Sequence, residues 1–158
     1  MSPNKSLIEA AKRGSLDAVK KAIGKGAEVD AVIKGWTPLM WASQEGYISI
    51  VDFLLEAGAD VNFADPGGFT PLKQAVGESH VDLAELLLLR GADVSFRCTT
   101  DGGGTVLHTA GAYGRTACVS LLLRYGADPK ALDDDGKSAY DFAVDYNQAE
   151  AASLLRVP

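Results

Sequence analysis

Only two cysteines, Cys98 and Cys118, and two histidines, His80 and His108, occur among the 158 residues. Neither cysteine stands in a CxxC spacing and no histidine cluster completes a ligand set, so neither a zinc site nor a disulfide-held scaffold is indicated. The two thiols read as reduced, with a mutual disulfide as the alternative. Long apolar runs are missing too. The stretch Leu86 to Leu89 falls far short of the roughly 20 residues that span a bilayer, and the opening "MSPNKSLIEAAKRG" has no signal-peptide apolar region. A soluble, cytoplasmic protein without membrane insertion is expected, with the nucleus left open. Positive charge is in deficit: 15 Lys and Arg stand against 21 Asp and Glu, for a net charge of −6 and a pI near 4.8. Affinity for a phosphate backbone comes largely from Lys and Arg releasing counterions, so no nucleic-acid partner is expected.

Apolar residues are plentiful, at 47%, enough for a chain of this size to bury a continuous core. Their arrangement is periodic. Gly35-Trp-Thr-Pro-Leu39, Gly68-Phe-Thr-Pro-Leu72, Gly103-Gly-Thr-Val-Leu107 and Gly136-Lys-Ser-Ala-Tyr140 follow one another at steps of 33, 35 and 33 residues. A second marker, Gly26-Ala-Glu28, Gly58-Ala-Asp60, Gly91-Ala-Asp93 and Gly126-Ala-Asp128, runs alongside at steps of 32, 33 and 35. Two markers keeping pace indicate a repeated structural unit.

Residue chemistry gives each unit two helices. Thr37, Thr70, Thr105 and Ser138 suit the N-cap, where a side-chain oxygen accepts from an unpaired backbone N–H and is worth about 1 kcal/mol. Pro38 and Pro71 follow at the first helical position, where a missing N–H costs nothing. A short helix such as "PLMWASQE" comes next, and Gly14, Gly46 and Gly114 end it in a left-handed conformation. Ser79 and Asn147 take that place in two units; asparagine tolerates it, whereas serine would be strained unless the turn differs. Second helices follow in "ISIVDFLLEA", "VDLAELLLLR", "TACVSLLLRY" and "AEAASLLR". The first of these has Ile50, Val51, Leu54 and Leu55 at the three-and-four spacing of a helix with one buried face.

A period near 33 with T-P-L and G-A-D landmarks resembles the ankyrin repeat, over almost the whole chain. The resemblance implies an all-α solenoid of stacked helix-turn-helix units with protruding hairpin-like turns. It implies one domain, residues 1–158, with units expected near 4–34, 35–67, 68–102, 103–135 and 136–158. A helix pair cannot hide its own apolar face, so neighbours must stack. End units are then expected to show polar outer faces and to complete the array. Lys5, Glu9, Lys12, Lys20, Lys21 and Lys25 at one end and Asp145, Asn147, Gln148, Glu150 and Arg156 at the other suit that role.

The search for chemistry returns little. His108 and His80 sit where the ankyrin pattern often has histidine, and a structural hydrogen-bonding role is expected for His108; neither has a nucleophile or second ligand at motif spacing. "TTDGGGTV", residues 99–106, precedes a helix but lacks the Lys-Ser/Thr of a phosphate loop, and reads as a longer turn tip. The run Asp133-Asp134-Asp135 lacks the spaced ligands and closing Glu of a calcium loop. No enzyme activity, metal or cofactor is expected.

The resemblance also implies where a partner binds: the concave side, made of turn tips and the exposed face of the first helices. By position this gives the tips Val32, Ile33, Lys34, Trp36, Pro66, Gly67, Phe69, Asp101, Gly102 and Gly104. The helices add Trp41, Gln74, Thr109 and Phe142, and their ends add Gln44, Glu45, Glu78, Ala112, Tyr113, Asp145 and Tyr146. Trp36, Trp41, Phe69 and Tyr113 are the expected anchors, since aromatics are enriched in binding hot spots; packing onto neighbouring turns or helices is the other reading for Trp36, Trp41 and Phe69. Glu45, Glu78 and Asp145 suggest a partner with apolar groups and Lys or Arg. The expected function is that of a monomeric, non-catalytic interaction module, adaptor or inhibitor, for a protein or peptide. The alternative is recognition of a lipid head group or small anion.

Overall fold

The computed structural model describes residues 1–100 and 102–157. Among them are ten helices: α1 (Pro3–Lys12), α2 (Leu16–Gly24), α3 (Pro38–Glu45), α4 (Ile48–Glu56), α5 (Pro71–Gly77), α6 (Val81–Leu89), α7 (Val106–Ala112), α8 (Thr116–Arg124), α9 (Ala139–Asp145) and α10 (Ala149–Leu155). Consecutive helices pair, and each pair packs on the next. One row runs α1–α3–α5–α7–α9 and a second runs α2–α4–α6–α8–α10. No strand forms among the described residues; the turns between pairs carry only single antiparallel bridges, at Ile33–Trp36, Arg97–Thr105 and Leu132–Ser138. The all-α solenoid with hairpin-like turns is therefore what the chain forms.

The rows are rigid because equivalent residues are buried in column. Leu39, Leu72 and Leu107 occupy one position in successive units of the first row, and Leu54, Leu87, Leu122 and Leu155 one position in the second. All seven are at most 1% exposed. Burying a leucine is worth roughly 1.5–3 kcal/mol, so each column makes a unit depend on its neighbours. No described helix is long and apolar enough to cross a membrane. Cys98 and Cys118 are buried and neither is in a disulfide.

Local signals act as their chemistry predicts. Thr37 Oγ1 accepts from Met40 N at 3.3 Å, Thr70 Oγ1 from Lys73 N at 3.2 Å and Ser138 Oγ from Asp141 N at 3.3 Å. At the end of each first helix the chain turns through the left-handed region: φ is 79° at Gly46, 64° at Ser79 and 58° at Asn147. The turn therefore does not change to suit serine, and the Ser79 backbone N–H donates to Val76 O at 3.0 Å within it.

Both ends differ from expectation. Lys5, Lys12, Lys20, Lys21 and Lys25 are exposed on the first pair and Glu9 is half-buried, but Lys12 and Lys20 reach toward the next pair, over the Trp41 and Phe53 rings. The last pair instead leaves Val144 and Leu154 about half exposed, at 50% and 44%. Val144 stands at the position of Val76 and Gly111, which are buried. The last pair thus keeps the apolar pattern of an internal unit on its outer side.

Left-handed backbone costs a non-glycine residue roughly 1–2 kcal/mol, so Ser79→Gly should stabilise the fold, by about 1 kcal/mol in urea unfolding. A loss of stability would show that the serine side chain matters more than its backbone angle.

Candidate functional site

Register brings side chains from successive units onto one face. The residue four places after each cap is Trp41, Gln74, Thr109 or Phe142, and the residue eight places after it is Glu45, Glu78, Tyr113 or Tyr146. Between α5, α7 and α9 this face is hollowed into a groove of about 690 Å³. Phe69, Gln74, Glu78, Thr109, Tyr113, Phe142 and Tyr146 all line it, with Gly104 and Ala112. Phe142 and Tyr146 stack with ring centroids 6.3 Å apart, and both Tyr113 and Tyr146 are 60% exposed.

The rest of the expected stripe lies outside that groove. Trp36 and Trp41 are half-buried against each other with centroids 4.4 Å apart, and the Lys12 ammonium sits 4.3 Å from the Trp41 ring centroid. Two indoles and a cation fill the space before α3 that stays open before α7. Ile33 is tied to Trp36 by backbone hydrogen bonds of 3.1 and 3.2 Å, Gln44 buries an Oε1 that has no hydrogen-bond partner, and Glu45 is exposed. Val32, Lys34 and Pro66 are exposed at the tips, with Gly67 and Gly102 half-buried. Asp101 lies outside the described residues. Asp145 is held by Lys137 at 2.6 Å, so its charge is already met.

Five groove residues were not among the expected contacts: Lys73, Gly77, Thr105, His108 and Arg115. His108 follows its cap as Lys73 follows Thr70, and works inward. The backbone N–H of Thr105 points at His108 Nδ1 at 3.0 Å, so Nδ1 accepts; Nε2 must then carry the proton and donates to Lys137 O at 3.1 Å. Burial lowers the His108 pKa below the usual histidine value, outweighing the Lys137 carbonyl. The ring is neutral and structural, locking α7 to the turn before α9. Asp141 takes the same place one unit later, accepting from Ser138 N at 2.8 Å and Ser138 Oγ at 2.7 Å, and those hydrogen bonds lower its pKa.

Arg115 belongs to a second recurring device. His80, just before α6, donates from Nε2 to Gln44 O at 2.9 Å, near the end of the preceding unit's first helix. Arg115, just before α8, donates from Nε to Gly77 O at 3.0 Å, the equivalent carbonyl. Each staples a unit to the one before by satisfying a carbonyl that a helix end leaves open. The position of Arg115, matching that of His80, is the sequence signal that could have singled it out. Lys73 is buried, its ammonium 4.5 Å from the Phe69 ring centroid. The groove as a whole offers aromatic contact area and hydrogen-bond donors.

Comparison with known proteins agrees with this architecture. The family described as ankyrin repeats (3 copies) matches residues 7–98 and 94–156. The chain is 36% identical over 160 residues to the E3 ubiquitin-protein ligase Ufd4 of Drosophila melanogaster, covering 98% of this chain and 4% of that protein. It is 40% identical over 156 residues to the putative E3 ubiquitin-protein ligase XBAT34 of Arabidopsis thaliana, covering 98% and 33%. Against the palmitoyltransferase AKR1 of Lachancea kluyveri it is 33% identical over 133 residues, covering 83% and 17%. The chain thus spans at most a third of the length of these relatives.

Because the folded His108 pKa lies below its unfolded value near 6.5, the unfolded chain gains a proton that the fold refuses. Its contribution is fully present above that value and is lost as pH falls below it. Thermal midpoints should therefore drop from pH 7 to 5.5 in the wild type and drop less in His108→Gln. Equal slopes would contradict the neutral, doubly bonded ring.

Proposed function

The chain belongs to the ankyrin-repeat family, and on that premise we propose that it is a non-catalytic interaction module that grips a partner protein in the groove between α5, α7 and α9. One observation carries the reading: a preformed groove of about 690 Å³ bordered by two tyrosines that each keep 60% of their surface in solvent. Tyrosine offers large, rigid contact area at low entropy cost, so exposed pairs beside a groove suit binding hot spots.

The matched relatives include proteins named as ubiquitin ligases and palmitoyltransferases, of which this chain corresponds to 33% or less. What passes to it by proposal is the holding of a protein partner, as adaptor or inhibitor, in the cytoplasm and as a monomer. A protein ligand is preferred to a lipid head group because the lysines of the first unit are not gathered into a pocket. Lys12 and Lys20 instead stand over the Trp41 and Phe53 rings.

Peptides selected from a random phage-displayed library on the wild type test the reading. Their complexes should shift backbone amide resonances in α5, α7 and α9. Tyr113→Ala with Tyr146→Ala should weaken them by roughly tenfold or more with an unchanged melting midpoint. Ligands that map to α4, α6 and α8, or that bind the double variant equally well, would refute the groove as the contact surface.

A further inference from the structure

Arg115 carries more hydrogen-bonding capacity than the stack uses. One unit earlier His80 makes the equivalent staple with a single N–H, to Gln44 O. Arg115 makes it through Nε, to Gly77 O at 3.0 Å, which leaves its two terminal amino groups over. Among the described residues no carboxylate is paired with them, although Glu78 lines the same groove. The guanidinium is half-buried, anchored at Nε, with its carbon 5.9 Å from the Tyr113 ring centroid. A planar fork held in this way is preorganised for a carboxylate, and it loses less side-chain freedom on binding than a mobile lysine would.

A second donor shares the groove. Gln74 Nε2 is buried and has no hydrogen-bond partner, and a buried polar group left in that state is costly until something accepts from it. A further wall of the groove is apolar, formed by the stacked rings of Phe142 and Tyr146. The groove therefore asks for acceptors beside an apolar side chain.

We propose that the groove holds an extended segment of a partner protein that sets an aspartate or glutamate against Arg115 and a neighbouring aromatic or large aliphatic side chain against Phe142 and Tyr146, with a main-chain carbonyl accepting from Gln74. This rests on the groove being the partner surface and adds the chemistry of the partner. It reverses the expectation of a basic partner drawn from Glu45, Glu78 and Asp145. Asp145 is already paired with Lys137, whereas Arg115 lies in the groove itself. The net charge of −6 repels long acidic tracts, so the arrangement favours a single carboxylate delivered beside an apolar anchor.

Twelve-residue peptides selected on the wild type by phage display would be synthesised with each acid replaced by its carboxamide. They would be titrated by fluorescence anisotropy against wild type, Arg115→Gln and Arg115→Lys. Selected peptides should place Asp or Glu within a few residues of a large apolar side chain. The carboxamide swap should weaken binding to the wild type about tenfold or more and change binding to Arg115→Gln by less than about twofold. Arg115→Lys should fall between them. The swap measured on the wild type needs no variant to fold. Peptides without an acid, equal swap effects on wild type and Arg115→Gln, or displacement of the peptide by millimolar inorganic phosphate would overturn the carboxylate assignment while leaving a groove-bound peptide standing. Failure to select any peptide that depends on Tyr113 and Tyr146 would instead remove the groove as a partner surface, and this assignment with it.

Discussion

The contact between one helix pair and the next is the interaction on which the molecule depends. Each pair is too thin to enclose a core of its own; its leucines are hidden only because an equivalent pair packs against it. The column Leu54–Leu87–Leu122–Leu155 expresses this most plainly, with every member at most 1% exposed. Side-chain staples reinforce the same contact: His80 reaches Gln44 O, Arg115 reaches Gly77 O and His108 reaches Lys137 O. These polar links fix the register that apolar packing alone would leave loose, because a hydrogen bond has direction and a leucine contact does not.

Fixed register creates the binding surface as a by-product. Positions four and eight places after each cap must fall on one face, whatever residues occupy them. The stack therefore tolerates wide variation there, and the variation decides what the surface can do. In front of α3 the occupants are two indoles and a lysine that close on one another. In front of α7 Thr109 is small enough to leave an opening, and Phe142, Tyr146 and Tyr113 form its borders. The staple position varies in the same way. Where histidine does the structural task and nothing more, arginine does it and keeps capacity in reserve.

Much of this was legible in the sequence, because the determinants are local. The Thr-Pro caps, the glycine stops and the three-and-four spacing of the second helices fix the elements, and their period fixes the stack. Which part of the concave stripe stays open was not legible, since it depends on whether Trp36 and Trp41 fold onto each other, a matter of side-chain packing between units. Arg115 escaped notice because its neighbour in function, His80, lies a whole unit away, and the carbonyls they share are invisible in a pattern of residue types. The strained angle at Ser79 could be posed as a question from sequence, and the backbone answers it with a φ of 64°. The apolar outer side of α9 and α10 was masked by the charged residues scattered around Val144 and Leu154.

Hydrogen exchange on Ala110→Asp tests the dependence of each pair on its neighbours most directly. Ala110 is fully buried in α7, and a carboxylate there has no partner and no water. If stacking holds the molecule together, protection should be lost across α5, α6, α9 and α10 as well as in α7 and α8. Protection lost only in α7 and α8, with the flanking pairs as slow to exchange as in the wild type, would mean that the pairs stand on their own and would contradict the account.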